Sequence, residues 1–356
     1  MSSRIEKLLE VMGKRGLDAI IVYGEMNRRY LSGFTGSSGY LYISRNKRVF
    51  LTDFRYMEQG GKQCVGYEVI DHSALGVIKA LHSFAASEGA KRIGFEANII
   101  TFDQYKELSD EFSGIELVPA TDMIEEIRMI KDESELALIR QAAKIADSAF
   151  THILPYLKVG VSEIDIALEL EFFMKKQGAD KLSFDTIIAS GNNSSLPHAH
   201  PTNKKIESGD FVTMDFGCLY EGYCSDMTRT VVVGKASEKQ KLIYNTVLQA
   251  HEAALAILKA GLEGNVVDRV ARDIIDAAGY KENFGHGLGH SLGLEVHENP
   301  RLSPKGFTML QPNMMVTVEP GIYIPNFGGV RIEDLVCVTA SGYDNFTHSD
   351  KSLLEI

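Results

Sequence analysis

The sequence predicts two domains, an α/β domain over residues 1–122 and an α+β domain over residues 123–356. Three observations carry that division. At 356 residues the chain is too long for one ordinary hydrophobic core. Up to residue 122, short apolar runs alternate with helix-like patterns, as in a sheet covered by helices. Beyond residue 123, long helical patterns interleave with paired apolar runs that read as hairpins.

In chain order, MSSRIEKLLEVMGKRG (1–16) reads as an amphipathic helix without the apolar centre of a signal peptide, so a cytoplasmic protein is expected. Segments 18–23, 39–44, 48–52, 67–70, 92–96 and 115–120 read as strands and 74–88 as a helix. No GxGxxG motif follows the first strand, so a dinucleotide fold has no support. Asp132 with Glu135 makes a capping box ahead of Leu136, Ile139, Ala143, Ala146 and Phe150, a helical stripe that opens the second domain. Further helices are expected over 162–178, 238–260 and 264–278, and strands over 210–217, 225–234, 314–324 and 330–339.

Composition narrows the function classes. With 44% hydrophobic and 24% charged residues the chain reads as an ordinary globular protein. No run approaches the roughly 18 apolar residues of a membrane span. A formal net charge of −11 argues against nucleic acid or an anionic membrane as partner. The four cysteines, Cys64, Cys218, Cys224 and Cys337, form no CxxC and read as free thiols.

The second domain carries the chemistry. In DFVTMDFGCLYEGYCSDMTRTVVV (210–233), a hairpin turning around residues 219–222 would set Asp215 directly opposite Asp226. Opposed like charges in an apolar ladder are destabilising and call for a cation between them. In VTVEPGIYIPNFGGVRIEDLVCVT (316–339), a hairpin turning at 325–329 brings Glu319 level with Glu333 on one face. Asp334 then points to the other side, and Arg331 shares the face of Glu333, can orient its carboxylate and is a candidate substrate-binding residue. The stretch GHGLGHSLGLEVHE (285–298) adds His286, His290 and His297. The i, i+4 spacing of the first two resembles a helical zinc pair, but its glycines disfavour a helix. Four carboxylates with imidazole suit Mn²⁺, Co²⁺ or Fe²⁺ better than a thiolate-type zinc site, and their charge suits two ions.

Taken in order, MDFG, CSDMTRT, GHGLGHSLGLEVHE, VEPGIYI and RIEDLV resemble the motifs of the metal-dependent "pita-bread" peptidases of family M24, in the Xaa-Pro branch of aminopeptidase P and prolidase. YLSGFTGSSG (30–39) and LTDFRY (51–56) resemble the amino-terminal domain of short bacterial aminopeptidase P proteins. The resemblance implies a creatinase-like, three-layer α/β domain followed by an α+β pita-bread catalytic domain. It implies two divalent metal ions, Mn²⁺ first, with Co²⁺, Zn²⁺ or Fe²⁺ as alternatives. Asp215 would bind one metal, His290 and Glu319 the other, and Asp226 and Glu333 both. His198 and His297 match catalytic histidines, Glu319 a proton carrier, His286 a pocket wall and Arg301 an arginine that holds the substrate carboxylate. His200 matches no family role and is expected at the pocket rim.

The reaction so implied is hydrolysis of the Xaa-Pro bond by a metal-bridged hydroxide, in a homodimer acting on small peptides. The amino-terminal motifs put Xaa-Pro aminopeptidase ahead of an Xaa-Pro dipeptidase, while Arg301 favours the latter. Methionine aminopeptidase is disfavoured by the long first domain, and creatinase-like chemistry by the full ligand set. An inactive binding protein on the same fold is disfavoured because no ligand is missing.

Overall fold

A computed structural model of the protein describes residues 2–356. They fall into two compact units, Met1–Arg128 and Met129–Ile356. The helix Met123–Arg128 thus groups with the first unit, six residues past the boundary read from the capping box at Asp132.

The first unit is built on strands β1 (Ala19–Val22), β2 (Tyr40–Ser44), β3 (Arg48–Thr52), β4 (Glu68–Asp71), β5 (Arg92–Phe95) and β6 (Glu116–Pro119). They form one mixed sheet in the order β4-β3-β2-β1-β5-β6. Each matches an apolar run legible in the sequence. Helices α1 (Ser2–Arg15), α2 (Glu25–Ser32), α3 (Met57–Gln63), α4 (Val77–Glu88), α5 (Phe102–Glu111) and α6 (Met123–Arg128) complete it. Ile21, Tyr42 and Ile93 pack with Leu81, Ala85 and Leu108 from α4 and α5. Ile20, Val22 and Leu41, on the alternate positions, are buried as completely. Both faces of the sheet are therefore covered, which explains why its central strands read as continuous apolar runs. The helices α2, α3 and α6 were not legible in the sequence, being too short to show a periodic stripe.

The second unit holds the long helices α7 (Glu133–Ile153), α8 (Glu163–Lys176), α9 (Glu238–Ile257) and α10 (Gly264–Ala277). Asp132 and Ser162 cap α7 and α8 through complete capping boxes with Glu135 and Asp165. The strands are β7 (Lys181–Leu182), β8 (Ile187–Ser190), β9 (Phe211–Phe216), β10 (Cys218–Tyr220), β11 (Tyr223–Cys224) and β12 (Met227–Val232) in one stretch. Then come β13 (Gly289–Ser291), β14 (Glu298–Leu302), β15 (Met315–Val318), β16 (Gly321–Ile324), β17 (Gly328–Arg331), β18 (Asp334–Val338) and β19 (Tyr343–Asn345). Two cores result. Helices α7 and α8 bury Ile139-side residues such as Ala146, Phe150 and Leu170 against Met214, Phe216 and Val231. Helices α9 and α10 pack Val247, Ala254 and Ala271 against Val316, Val318 and Val336. Among the described residues no helix is long and apolar enough to cross a membrane.

Each acidic hairpin divides into shorter ladders. Strands β9 and β12 pair Asp215 with Thr228, and Phe216 with Met227. Asp226 is therefore not opposite Asp215, as the simple hairpin would have it, but lies just outside the ladder. The cause is Gly217, whose Cα faces the Ser225 carbonyl so closely that a Cβ would collide with it. The chain breaks there and continues as the separate β10–β11 pair. In the second hairpin, Val318 pairs with Asp334 and Gly321 with Arg331. Glu319 and Glu333 sit between these ladders at matching positions, level with one another as expected.

Candidate metal centre

Every residue nominated from the sequence lines one cleft of about 490 Å³ in the second unit. That volume suits a small-molecule ligand. The nominees are Asp215, Asp226, Glu319, Glu333, His290, His198, His297, His286, Arg301 and Arg331, and His200 stands at the same cleft.

At the floor, Asp226, His290 and Glu333 offer ligand atoms that all lie within 4.8 Å of one another. The His290 Nε2 is 3.6 Å from Asp226 Oδ2 and 3.4 Å from Glu319 Oε1. Strand β13 presents His290 because Gly289 lies against the backbone carbonyl of Thr317, where a Cβ would clash. Thus β13 can approach β15, and the His290 amide donates to Thr317 Oγ1 at 3.0 Å. The glycine thus serves the close approach of two strands.

The electrostatics of this floor are unbalanced. Asp215 Oδ1, Asp226 Oδ1 and Glu333 Oε1 are buried and have no hydrogen-bond partner among the described residues. Burial, then the neighbouring Glu333, Asp215 and Glu319, drive the Asp226 pKa well above the carboxylate range. Burial and Glu319 do the same to Glu333, and burial pushes Glu319 up to about 8. Burial brings His290 down to about 3, so its imidazole is neutral and able to ligate. Orphaned carboxylate oxygens around a neutral imidazole are what a divalent cation requires, and the donor set fits one or more hard to borderline ions.

Arg331 acts differently from expectation. Its guanidinium donates to Asp215 Oδ2 at 2.5 Å, to Thr228 Oγ1 at 3.0 Å and to Tyr323 Oη at 2.8 Å. It reaches Glu333 only through Thr228, whose hydroxyl donates to Glu333 Oε2 at 2.6 Å. Being buried and fully engaged, Arg331 orients ligands more directly than it meets a substrate. Thr228, Thr317 and Tyr323 were missed in the sequence. Thr228 was findable by registering the hairpin one residue pair correctly, and Tyr323 by its place on the Arg331 face of β16–β17.

The histidines separate in space. His286 is held by Tyr323 Oη at 2.9 Å and by the Gly287 carbonyl at 2.8 Å. Its ring does not join the cluster. The His297 ring stands edge-on to His290 with centroids 4.5 Å apart. Arg301 is the cross-strand partner of His290 on β14, which places its side chain on the same face. His198 and His200 come from the loop after β8 and are both exposed at the cleft. Asp334, one residue from Glu333, faces away from the cluster and is completely buried.

Comparison with known proteins gives consistent matches along the chain. Residues 137–340 match metallopeptidase family M24, and residues 4–130 match the creatinase/prolidase N-terminal domain. A structure described as an Xaa-Pro dipeptidase from Bacillus anthracis superposes with a TM-score of 0.97 at 47% identity, covering 100% of this chain and 99% of that one. The Xaa-Pro dipeptidase of Pyrococcus horikoshii is 38% identical over 99% of both chains. An X-Pro aminopeptidase structure from Thermotoga maritima superposes with a TM-score of 0.93 at 37% identity, covering 99% of this chain and 100% of that one.

Proposed function

The chain belongs to metallopeptidase family M24, and from that premise we propose that it is a dinuclear metal-dependent Xaa-Pro dipeptidase. The observation that carries the metal chemistry is the set of buried carboxylate oxygens left without partners around His290. Similarity to proteins named Xaa-Pro dipeptidase carries the substrate class. The order suggested by the amino-terminal motifs, aminopeptidase before dipeptidase, is thereby reversed.

Asp215, Asp226, His290, Glu319 and Glu333 would hold two divalent ions, Mn²⁺ being the first choice for so oxygen-rich a set. When bound, such ions polarise the scissile carbonyl and lower the pKa of water. Glu319 would accept a proton and pass it to the leaving proline nitrogen. Its Oε1 is held by Thr317 Oγ1 at 3.2 Å, which fixes the carboxylate for that exchange. His198 and His297 would donate hydrogen bonds to the substrate carbonyl, and His286 would wall the proline side of the cleft. Arg301 would take the free carboxylate of a dipeptide, a contact that a longer peptide could not make in the same way. Proline suits such a site because its nitrogen carries no N–H for a strand-like ladder.

The test is hydrolysis of an Xaa-Pro dipeptide and an Xaa-Pro-Yaa tripeptide by one Mn²⁺-loaded preparation. Turnover of the dipeptide alone is expected, and Arg301→Ala should raise KM more than it lowers kcat. The likeness to an aminopeptidase structure supports a second reading, in which the tripeptide is cleaved at least as fast. A protein that cleaves neither and binds no metal would overturn both.

A further inference from the structure

The loop at 191–201 carries His198 and His200 between β8 and Thr202, yet both histidines are exposed. What holds it lies behind the cleft. Glu163, the first residue of α8, is 0% exposed, and its two oxygens accept hydrogen bonds from three of the described residues. Oε1 takes the Ser190 amide at 2.7 Å, the Ser190 hydroxyl at 2.8 Å and the Asn193 side-chain amide at 3.0 Å. Oε2 takes the same Asn193 amide at 3.1 Å, the Thr202 amide at 3.0 Å and the Thr202 hydroxyl at 2.6 Å. One carboxylate therefore ties the residue that enters the loop to the residue that leaves it. Among the described residues no basic side chain pairs with Glu163. Its charge is met by these hydrogen bonds, each stronger than a neutral one, and the Ser190 hydroxyl that serves it also accepts from Lys204 Nζ at 3.0 Å.

The rest of the loop is docked at its middle. Ser194 Oγ accepts from the Gly329 amide at 2.8 Å and donates to the Gly191 carbonyl at 2.5 Å. The Pro197 carbonyl accepts from Arg331 at 3.3 Å. Closing both ends removes the slack a free loop would have, since a segment fixed at its ends samples far fewer conformations. The segment that remains between the pins is the one that presents His198 to the cleft.

We propose that Glu163 is the positioning residue for His198, acting through the two ends of loop 191–201. This rests on the reading of His198 as a donor to the substrate. The test uses full-length, Mn²⁺-loaded protein and the isostere Glu163→Gln, whose amide turns one accepting oxygen into a donor facing other donors. Turnover of an Xaa-Pro dipeptide is expected to fall roughly 10- to 100-fold, the scale of a small misplacement of a catalytic group. KM should move much less than kcat, and bound metal should stay unchanged. In combination with His198→Ala, Glu163→Gln should cause no further loss, because its effect passes through that histidine. Amide hydrogen exchange should accelerate at 190–202 and stay as in the wild type at 211–232.

Losses that multiply in the double variant, or unchanged exchange at 190–202, would overturn the proposal. If Glu163→Gln fails to fold, Ser190→Ala and Thr202→Val cut one end each while keeping the carboxylate. They should show smaller losses with the same dependence on His198. A wild-type protein inactive on Xaa-Pro dipeptides would defeat the functional reading, and the exchange experiment would still decide whether Glu163 holds the loop.

Discussion

Glu333 and Asp334 are adjacent, equally buried and opposite in character. Glu333 faces the cleft with one hydroxyl for company, Thr228, and its Oε1 has no partner among the described residues. Its pKa is driven upward by burial and by Glu319. Asp334 faces the other way and accepts from Arg229 at 2.8 Å, Asn345 at 2.9 Å and Lys351 at 2.6 Å. Burial alone would raise Asp334, but Arg229 and Lys351 outweigh it and hold the carboxyl down at about 2. A buried carboxylate with partners built into the fold is part of the scaffold. One left without them marks a place where something else must bind, and the contrast separates structure from function within a single dipeptide.

The largest expected effect comes from breaking the incomplete side. Glu333→Gln keeps the shape and the Thr228 contact but removes a ligand charge. Activity should fall by roughly 10³-fold or more, on the scale of losing a principal catalytic group. Unlike most buried changes, it should leave the metal-free protein as stable as the wild type or more so, because it relieves repulsion with Asp226 and Glu319. Thermal unfolding with and without Mn²⁺ checks this. Saturating metal should raise the wild-type midpoint, through a stabilisation of about 2.7 kcal/mol per site at a hundredfold excess over Kd, and raise the variant's much less. A variant that keeps the full metal response would end the comparison.

Breaking the complete side should cost stability instead. Asp334→Ala leaves Arg229, itself 1% exposed, buried without its carboxylate. Removing one partner of a buried pair costs about 3–5 kcal/mol. Urea unfolding should show that loss whether or not metal is present, with any fall in activity following the folded fraction.

The same contrast explains what the sequence could reveal. The ligands were legible because acidic residues interrupt apolar ladders, a pattern that local propensity disfavours. The central strands of the first unit were legible for the complementary reason, as uninterrupted apolar runs, whereas β4 and β6 carry Glu68 and Glu116 at exposed positions. What stayed hidden depended on register and on contacts between distant segments. The kink at Gly217 moved Asp226 out of the ladder, and only the folded backbone shows the carbonyl that requires glycine there. Arg331 looked like a partner of Glu333 by spacing, yet Asp215, more than a hundred positions away, takes its strongest bond. Glu163 was indistinguishable from any acidic residue in the first turn of a helix, where such residues are common.

The smallest effect sharpens the scaffold side through pH. His251 on α9 is completely buried, with Nε2 at 3.6 Å from Asp334 Oδ2 and neither ring nitrogen hydrogen-bonded among the described residues. Burial holds its pKa down at about 3, against 6.5 for an ordinary histidine; Asp334 favours the charged form, while Lys351 and Arg229 oppose it. The folded state therefore binds fewer protons than the unfolded state between these values. The stability this neutral histidine permits is fully present above pH 6.5 and is lost as the pH falls toward 3, by at most about 1.4 kcal/mol per pH unit. The metal-free cluster works in the opposite sense. Glu319, raised to about 8, makes the folded state bind more protons, so its contribution is present below 4.5 and lost as the pH rises through 8. Unfolding free energies of the metal-free wild type and His251→Leu between pH 6.5 and 5 separate the two, since both proteins share the cluster and differ only in the histidine. The variant should lose less stability over that interval. Equal slopes would mean that Asp334 keeps His251 charged in the folded protein, and that the scaffold carries one more buried ion than its hydrogen bonds display.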